Sequence, residues 1–224
     1  MSNQEISYFL SILSLVFYSI VYIPQFLSIY NAGSSEGISI WTILIWTQAD
    51  ILSLVGTILL HMPLSIIIIG WYHYYVGVLM VLFILFYTKN KNSFNFQTKC
   101  LTTSFFLVIN TTICVVLNVF IKTSYDDTGA ILGWITMVLY TCGRLPQIWM
   151  NYSNSSIGNL SVLMYIFAII GNSLYVSVIT VDPEYIVENI PWIVNGIFSI
   201  ILDIVVLGQY YYYEQIVKTN CQKY

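Results

Sequence analysis

Two stretches decide how this chain is read: IPQFLSIYNAGSSEGIS at 23–39 and LPQIWMNYSNSSIGNLS at 145–161. An offset of 122 positions (146 − 24) carries Pro24-Gln25 onto Pro146-Gln147 and Ser39 onto Ser161. The same offset carries Tyr18 onto Tyr140 and Asp50 onto Asn172. Between the Pro-Gln pair and the final serine lie Ser34-Ser35 and Gly37 in one copy and Ser155-Ser156 and Gly158 in the other, displaced by one position between copies. One Pro-Gln recurs easily by chance. An ordered set of Pro-Gln, Ser-Ser, Gly and Ser followed by an aligned Asp/Asn does not, and the chain is read as an internal repeat.

The sequence around these stretches is apolar. Of 224 residues, 58% are hydrophobic and 8% charged, against about 25% charged in a soluble domain. So little charge cannot cover a soluble surface, which excludes an ordinary soluble enzyme and a disordered chain. The net charge of −3, from 7 basic and 10 acidic residues, excludes a basic nucleic-acid-binding face. Long unbroken apolar runs, rather than alternating segments of about 10 residues, exclude a transmembrane barrel. The four cysteines (Cys100, Cys114, Cys142, Cys221) are scattered, and His61 and His73 lie far apart. No metal site, catalytic group or cofactor is expected from them. The first residues lack a basic n-region, so no cleavable signal peptide is expected.

A membrane-spanning helix needs about 20 mostly apolar residues, and seven such stretches fall at roughly 8–30, 39–60, 64–87, 100–121, 130–151, 160–181 and 190–213. The fold expected is all-α and membrane-embedded: two parallel three-helix repeats joined by a linker helix, 3+1+3. In chain terms that is a first repeat with its connecting loop at 1–99, a linker helix at 100–121, a second repeat at 122–213 and a tail at 214–224. Lys89, Lys91, Lys99, Lys218 and Lys223 fall on one side of this plan. Lys122 falls on the other, with Glu5, Asp126, Asp127, Asp182, Glu184 and Glu188. The positive-inside rule then makes the C-terminus cytosolic and the N-terminus luminal. The sequons at Asn151, Asn154 and Asn159 become cytosolic, and no N-glycan is expected.

Pro24 and Pro146 stand inside apolar helices, where each removes a backbone hydrogen bond and kinks the helix. Repeat-equivalent kinks suit a pair of hinges, with Gln25 and Gln147 placed to hydrogen-bond across the bundle. Asp50 lies halfway along the second span, where a carboxylate costs roughly 2.5–3.5 kcal/mol on insertion scales and therefore faces a cavity or a partner. Trp46, Asp50, Ser53 and Thr57 share its helical face. Asn172 is the repeat mate of Asp50, with Tyr175 on its face. Asp203 is a second intramembrane acid, sharing a face with Asn195 and Ser199. Two acids suggest a cavity that attracts a cation or a proton. The alternative for Asp203 is a pair with Arg144, the chain's only arginine. Arg144 itself reads either as a residue snorkelling to the interface or as a gate or carboxylate grip. Tyr18, Tyr22 and Tyr140 are placed near the hinges.

The motif Gly143-Arg144-Leu145-Pro146-Gln147, with Asn151, Ser155-Ser156, Gly158, Ser161, Gly171-Asn172 and Tyr175, resembles the PQ-loop repeat family. Pro191-Trp192, Leu202-Asp203 and Gln209 continue the likeness, which is nearest to the family's lysosomal and vacuolar cationic amino acid branch. Gly77 and Phe83 stand where that branch carries an Asp and a Gln six residues apart in the third span. The resemblance implies a carrier exporting lysine, arginine or histidine from a lysosome or vacuole to the cytosol. It also implies proline hinges and Asp50, Asn172 and Asp203 as pocket or gate residues. The partners implied are a small-molecule substrate and membrane lipid. Proton coupling stays open, as do a proton-coupled carrier of cystine or neutral amino acids and a non-transporting seven-helix receptor or nutrient-sensing scaffold.

Overall fold

A computed structural model describes residues 3–59, 64–89, 94–120, 125–181 and 190–221, and among these every element is an α-helix. In chain order they are α1 Asn3–Ile20, α2 Ile23–Ala32, α3 Ile40–Leu59, α4 Leu64–Phe86, α5 Phe94–Phe120, α6 Tyr125–Cys142, α7 Leu145–Asn154, α8 Val162–Val181 and α9 Ile190–Cys221. Among the described residues, five stretches are long and apolar enough to cross a membrane: Glu5–Ala32, Ile40–Leu59, Ile67–Phe86, Val162–Val181 and Trp192–Glu214. The expected spans at 100–121 and 130–151 fall on α5 and, across a break, on α6 and α7. Helix α9 runs on past 213 to Cys221, through most of the stretch assigned to a tail. His61, Lys91, Lys122, Asp182, Glu184, Glu188 and Lys223 lie outside the described residues.

Alongside an apolar core, many polar side chains are buried and many large apolar ones face outward. Gln25, Gln147, Asn151, Asp50, Asn172, Arg144 and Asp203 are all buried, whereas Tyr8, Leu101 and Trp149 are about 70% exposed (71%, 76% and 69%). A lipid solvent produces this pattern, because polar groups with no water outside must find partners inside.

The chain divides into two compact units, Met1–Ser39 with Arg144–Tyr224, and Ile40–Gly143. In the first, α8 packs between α1 and α9, with α2 and α7 alongside. Gly171 lets Tyr18 approach α8 closely, and Phe17 meets Phe167 edge to face with centroids 5.7 Å apart. In the second, α3 packs against α4 and α6, with α5 beside it. Gly56 brings α3 against the α6 backbone at Gly129, and Val55, Leu59 and Leu132 close a small apolar core there. The units are not the sequence repeats. In each, the first helix of one repeat packs on the second helix of the other: α1 on α8, and α6 on α3.

Both Pro-Gln helices end alike. The N–H groups of Gly33 and Ser34 donate to the Tyr30 and Ile29 carbonyls, and those of Ser155 and Ser156 donate to Tyr152 and Asn151. These are paired Schellman caps. Each cap places a residue in the left-handed region, Gly33 at φ +58° and Ser155 at φ +46°. Only glycine holds that conformation without strain, so the second cap is the more strained. Ser34 Oγ and Ser156 Oγ each accept the N–H two residues on, from Glu36 and Gly158. The offset of 122 therefore holds through the turn. Ser156 is the structural counterpart of Ser34, and the one-position slip of the serine pair is only apparent.

Candidate functional site

Both prolines break their helices. Helix α1 stops at Ile20 and α2 starts at Ile23, and α6 stops at Cys142 and α7 starts at Leu145. Pro24 and Pro146 sit in the first turns of α2 and α7, where the missing N–H has no intrahelical partner to lose. At the second break the chain also passes from one compact unit to the other, between Gly143 and Arg144.

The two glutamines reach across the repeats. Gln25 Oε1 accepts the Ser161 N–H (2.8 Å), and Gln25 Nε2 donates to the Asn159 carbonyl (3.1 Å). Gln147 Oε1 accepts the Ser39 N–H (2.7 Å), and Gln147 Nε2 donates to the Gly37 carbonyl (2.8 Å). Each glutamine thus holds the loop of the other repeat at positions related by the same offset of 122. The loops meet directly: Asn159 N–H donates to the Glu36 carbonyl (2.8 Å), and Asn159 Nδ2 donates to the Ser34 carbonyl (3.0 Å). A Cβ on Gly37 would lie 2.6 Å from Gly158 Cα, so backbones meet where no side chain fits. Gln147 also donates to Asn151 Oδ1 (2.8 Å), and Asn151 Nδ2 donates to Gln209 Oε1 on α9 (2.9 Å). Gln147→Ala takes away the acceptor of a buried N–H and is expected to lower stability by about 1–3 kcal/mol. Gln25→Ala, which removes two bonds rather than three, should cost less. Thermal unfolding in nanodiscs checks the order.

The intramembrane acids have different surroundings. Arg144 grips Asp203 bidentately, Nε donating to Oδ1 (2.6 Å) and Nη2 to Oδ2 (3.1 Å), and Asp203 is fully buried. The pair joins the start of α7, beside the Pro146 break, to α9. In the other unit, the Tyr140 hydroxyl on α6 donates to Asp50 Oδ1 on α3 (2.5 Å), while Asp50 Oδ2 has no hydrogen-bond partner among the described residues. Trp46 Nε1 donates to the Tyr140 carbonyl (3.3 Å), and Gly143 lies against the indole. The repeat mates reproduce this motif: Tyr18 OH donates to Asn172 Oδ1 (3.1 Å), and Asn172 Nδ2 donates to the Ala168 carbonyl (2.8 Å). Tyr175 meets the Tyr18 ring edge to face at 6.3 Å.

One unit thus gathers Gln25, Gln147, Arg144, Asp203, Asn172 and Tyr175, and the other gathers Asp50 and Trp46. The pairing of Tyr140 with Asp50, the role of Asn159 and the Asn151–Gln209 link are additions to the sequence reading. The signal for the tyrosines was present, since Tyr18 and Tyr140 obey the repeat offset as Asp50 and Asn172 do.

Repeated Pro-Gln helix breaks, reciprocal loop clasps and acids buried among apolar helices define a repeat-built helical membrane protein. The chain belongs to the PQ-loop repeat family, whose model matches residues 6–66 and 128–184. It is 27% identical to the lysosomal amino acid transporter 1 homolog of Gallus gallus, over 92% of this chain and 80% of the relative. It is 23% identical to the Homo sapiens protein of the same name, over 95% and 84%. A vacuolar lysine transporter of Saccharomyces cerevisiae is 33% identical over 38% of this chain and 29% of its own length. Among solved structures, a eukaryotic SWEET transporter shares the fold, with a TM-score of 0.64 at 11% identity, covering 95% of this chain and 99% of that one. These relatives are transporters rather than enzymes.

Proposed function

We propose that this protein carries cationic amino acids (lysine, arginine and histidine) across a lysosomal or vacuolar membrane to the cytosol. The observation that carries the reading is the buried Asp50 carboxylate with one oxygen unpartnered. Arg144 already neutralises Asp203, so Asp50 is the acid left to meet a positive group. The names of the sequence relatives, two lysosomal amino acid transporters and a vacuolar lysine transporter, support an amino acid substrate, and the last of them a cationic one.

The apolar runs and the repeat are read as seven spans in a 3+1+3 plan, and the lysine distribution on that plan makes the N-terminus luminal and the C-terminus cytosolic. In this reading the two repeats rock about the breaks at Pro24 and Pro146. The glutamine clasps hold the loops when one side is shut, and the Arg144–Asp203 pair acts as a gate strut beside the second break. Asn172, the repeat mate of Asp50, and Tyr175 on the same face as Asn172 are further substrate-binding or proton residues of the unit that holds them.

A cation driven by a membrane potential gains about 2.3 kcal/mol per charge per 100 mV, so a potential alone is enough to drive transport without obligate proton coupling. Labelled arginine should enter liposomes holding the purified protein under a negative-inside potential with no pH gradient. The uptake should saturate and be competed by lysine. Uptake only under an acid-outside gradient would replace this reading with a proton-coupled one. Ligand binding without flux in sealed vesicles would replace it with a receptor.

A further inference from the structure

A shallow apolar groove lies between three helices of the Ile40–Gly143 unit. It is lined by Leu44 of α3, Val78, Val81 and Leu82 of α4, and Thr103 and Phe106 of α5. Leu82 is 49% exposed, so the groove opens onto the outer surface, which lipid covers in a membrane. Two lysines stand at one end of it. Lys99, Thr103 and Phe106 follow helical spacing and share a face of α5. At 1.5 Å per residue, Lys99 lies about 6 Å from Thr103 toward the start of that helix. Lys89 follows the end of α4 at Phe86, and the short connection to Phe94 keeps it at the same end of the unit. Neither lysine has an ion-pair partner among the described residues. The sequence from 86 to 99 contains no acid. Lys89 is exposed and Lys99 half-buried.

We propose that this groove and its two lysines bind one anionic phospholipid, its acyl chain along the groove and its phosphate between Lys89 and Lys99. The inference does not rest on the substrate reading. A cation at the edge of hydrocarbon needs a counter-charge, and a phosphate supplies it through charge-assisted hydrogen bonds. Lysine reaches head-group level by laying its methylenes along apolar surface. Basic sites between spanning helices select anionic head groups in this way. The order of groups fits a lipid, with charge at the surface and apolar lining directly beneath it. A soluble anion would meet the lysines and leave the groove unused. A zwitterionic lipid would fill the groove but bring its own cation to the lysines.

Native mass spectrometry of the full chain, titrated with dioleoyl phosphatidylglycerol or dioleoyl phosphatidylcholine, tests the site. The wild type is expected to hold one phosphatidylglycerol more tightly than phosphatidylcholine. A lysine near an anionic lipid surface is worth roughly fivefold in affinity. Lys89→Ala/Lys99→Ala should therefore weaken phosphatidylglycerol binding by roughly 25-fold and leave phosphatidylcholine unchanged, with the melting temperature of the lipid-free protein near wild type. Lys218→Ala, on α9, should leave both affinities alone. A loss there comparable to that of Lys99→Ala would reduce the effect to the general attraction of a basic surface and overturn the site. Glycerol phosphate, a head group without chains, should not displace the lipid at equal concentration. Displacement would make this a site for soluble anions and overturn the lipid. Equal affinity of the wild type for the two lipids, or a preference for phosphatidylglycerol that survives in the double variant, overturns the proposal outright.

Discussion

Asp50→Asn is expected to reduce arginine uptake to the level of empty liposomes while the protein stays folded. The protein carries its own control for the fold half of that statement. At the repeat-equivalent position an asparagine, Asn172, already sits on α8 with a tyrosine hydroxyl donating to its Oδ1 at 3.1 Å and its Nδ2 donating one turn back to the Ala168 carbonyl at 2.8 Å. An asparagine at 50 can make the same pair of bonds, accepting from Tyr140 and donating to the carbonyl of Trp46 four residues earlier. A buried charge with one unsatisfied oxygen is replaced by a neutral amide with both ends used, so the melting temperature should hold or rise. Function moves the other way. The amide puts a donor where a cation needs an acceptor, and attraction becomes repulsion between two sets of N–H groups. Asp50→Glu restores the charge but displaces it by one methylene, and should recover part of the uptake. Melting in nanodiscs together with potential-driven uptake decides the matter. Normal uptake by Asp50→Asn would remove Asp50 from the substrate site.

The local devices of this fold are legible in the chain, because each depends on residues close in sequence. Proline inside an apolar run kinks or breaks its helix, and here the breaks lie two and three residues before Pro24 and Pro146. Asp50 stands out by cost alone, since few spans carry a carboxylate at their middle. What could not be read is which helix meets which. The tyrosine–acid motif needs α6 on α3, and its mate needs α1 on α8. Both are contacts between different repeats, and an offset in sequence says nothing about exchange between them. The pairing of Arg144 with Asp203 was one of two readings of that arginine, and distance in sequence could not choose between them. The apparent slip of the serine pair has a similar origin. Matching Ser-Ser to Ser-Ser follows composition, whereas the backbone follows the cap, where Ser155 takes the left-handed place that Gly33 holds in the first copy. Gly77 was visible as an absence of side chain, but what fills the space beside it, the Thr47 side chain, comes from a neighbouring helix.

Breaking the Arg144–Asp203 pair from one side is expected to be the most damaging change to stability. Both groups are buried, at 6% and 0% exposure, and the carboxylate oxygens are gripped at 2.6 and 3.1 Å. Arg144→Leu leaves a fully buried carboxylate facing hydrocarbon, and Asp203→Leu leaves a buried guanidinium. Removing one partner of such a pair costs about 3–5 kcal/mol, most of it the penalty of the charge left behind. Removing both is a different matter. The attraction inside only offsets the desolvation of two ions, so the double variant Arg144→Leu/Asp203→Leu should recover most of the stability lost by either single change. Transport then tells what the pair is for. It ties α9 to the residues that begin α7, beside the break that a rocking repeat must use. A strut there that engages and releases sets the balance between the two faces of a carrier. A pair that only fills the interior sets nothing. The double variant should therefore melt near the wild-type temperature yet carry arginine at least about tenfold more slowly, a shift of about 1.4 kcal/mol in the rate-limiting step. Stability and uptake that both return together would reduce the pair to packing, because a gate cannot be deleted without changing the traffic through it.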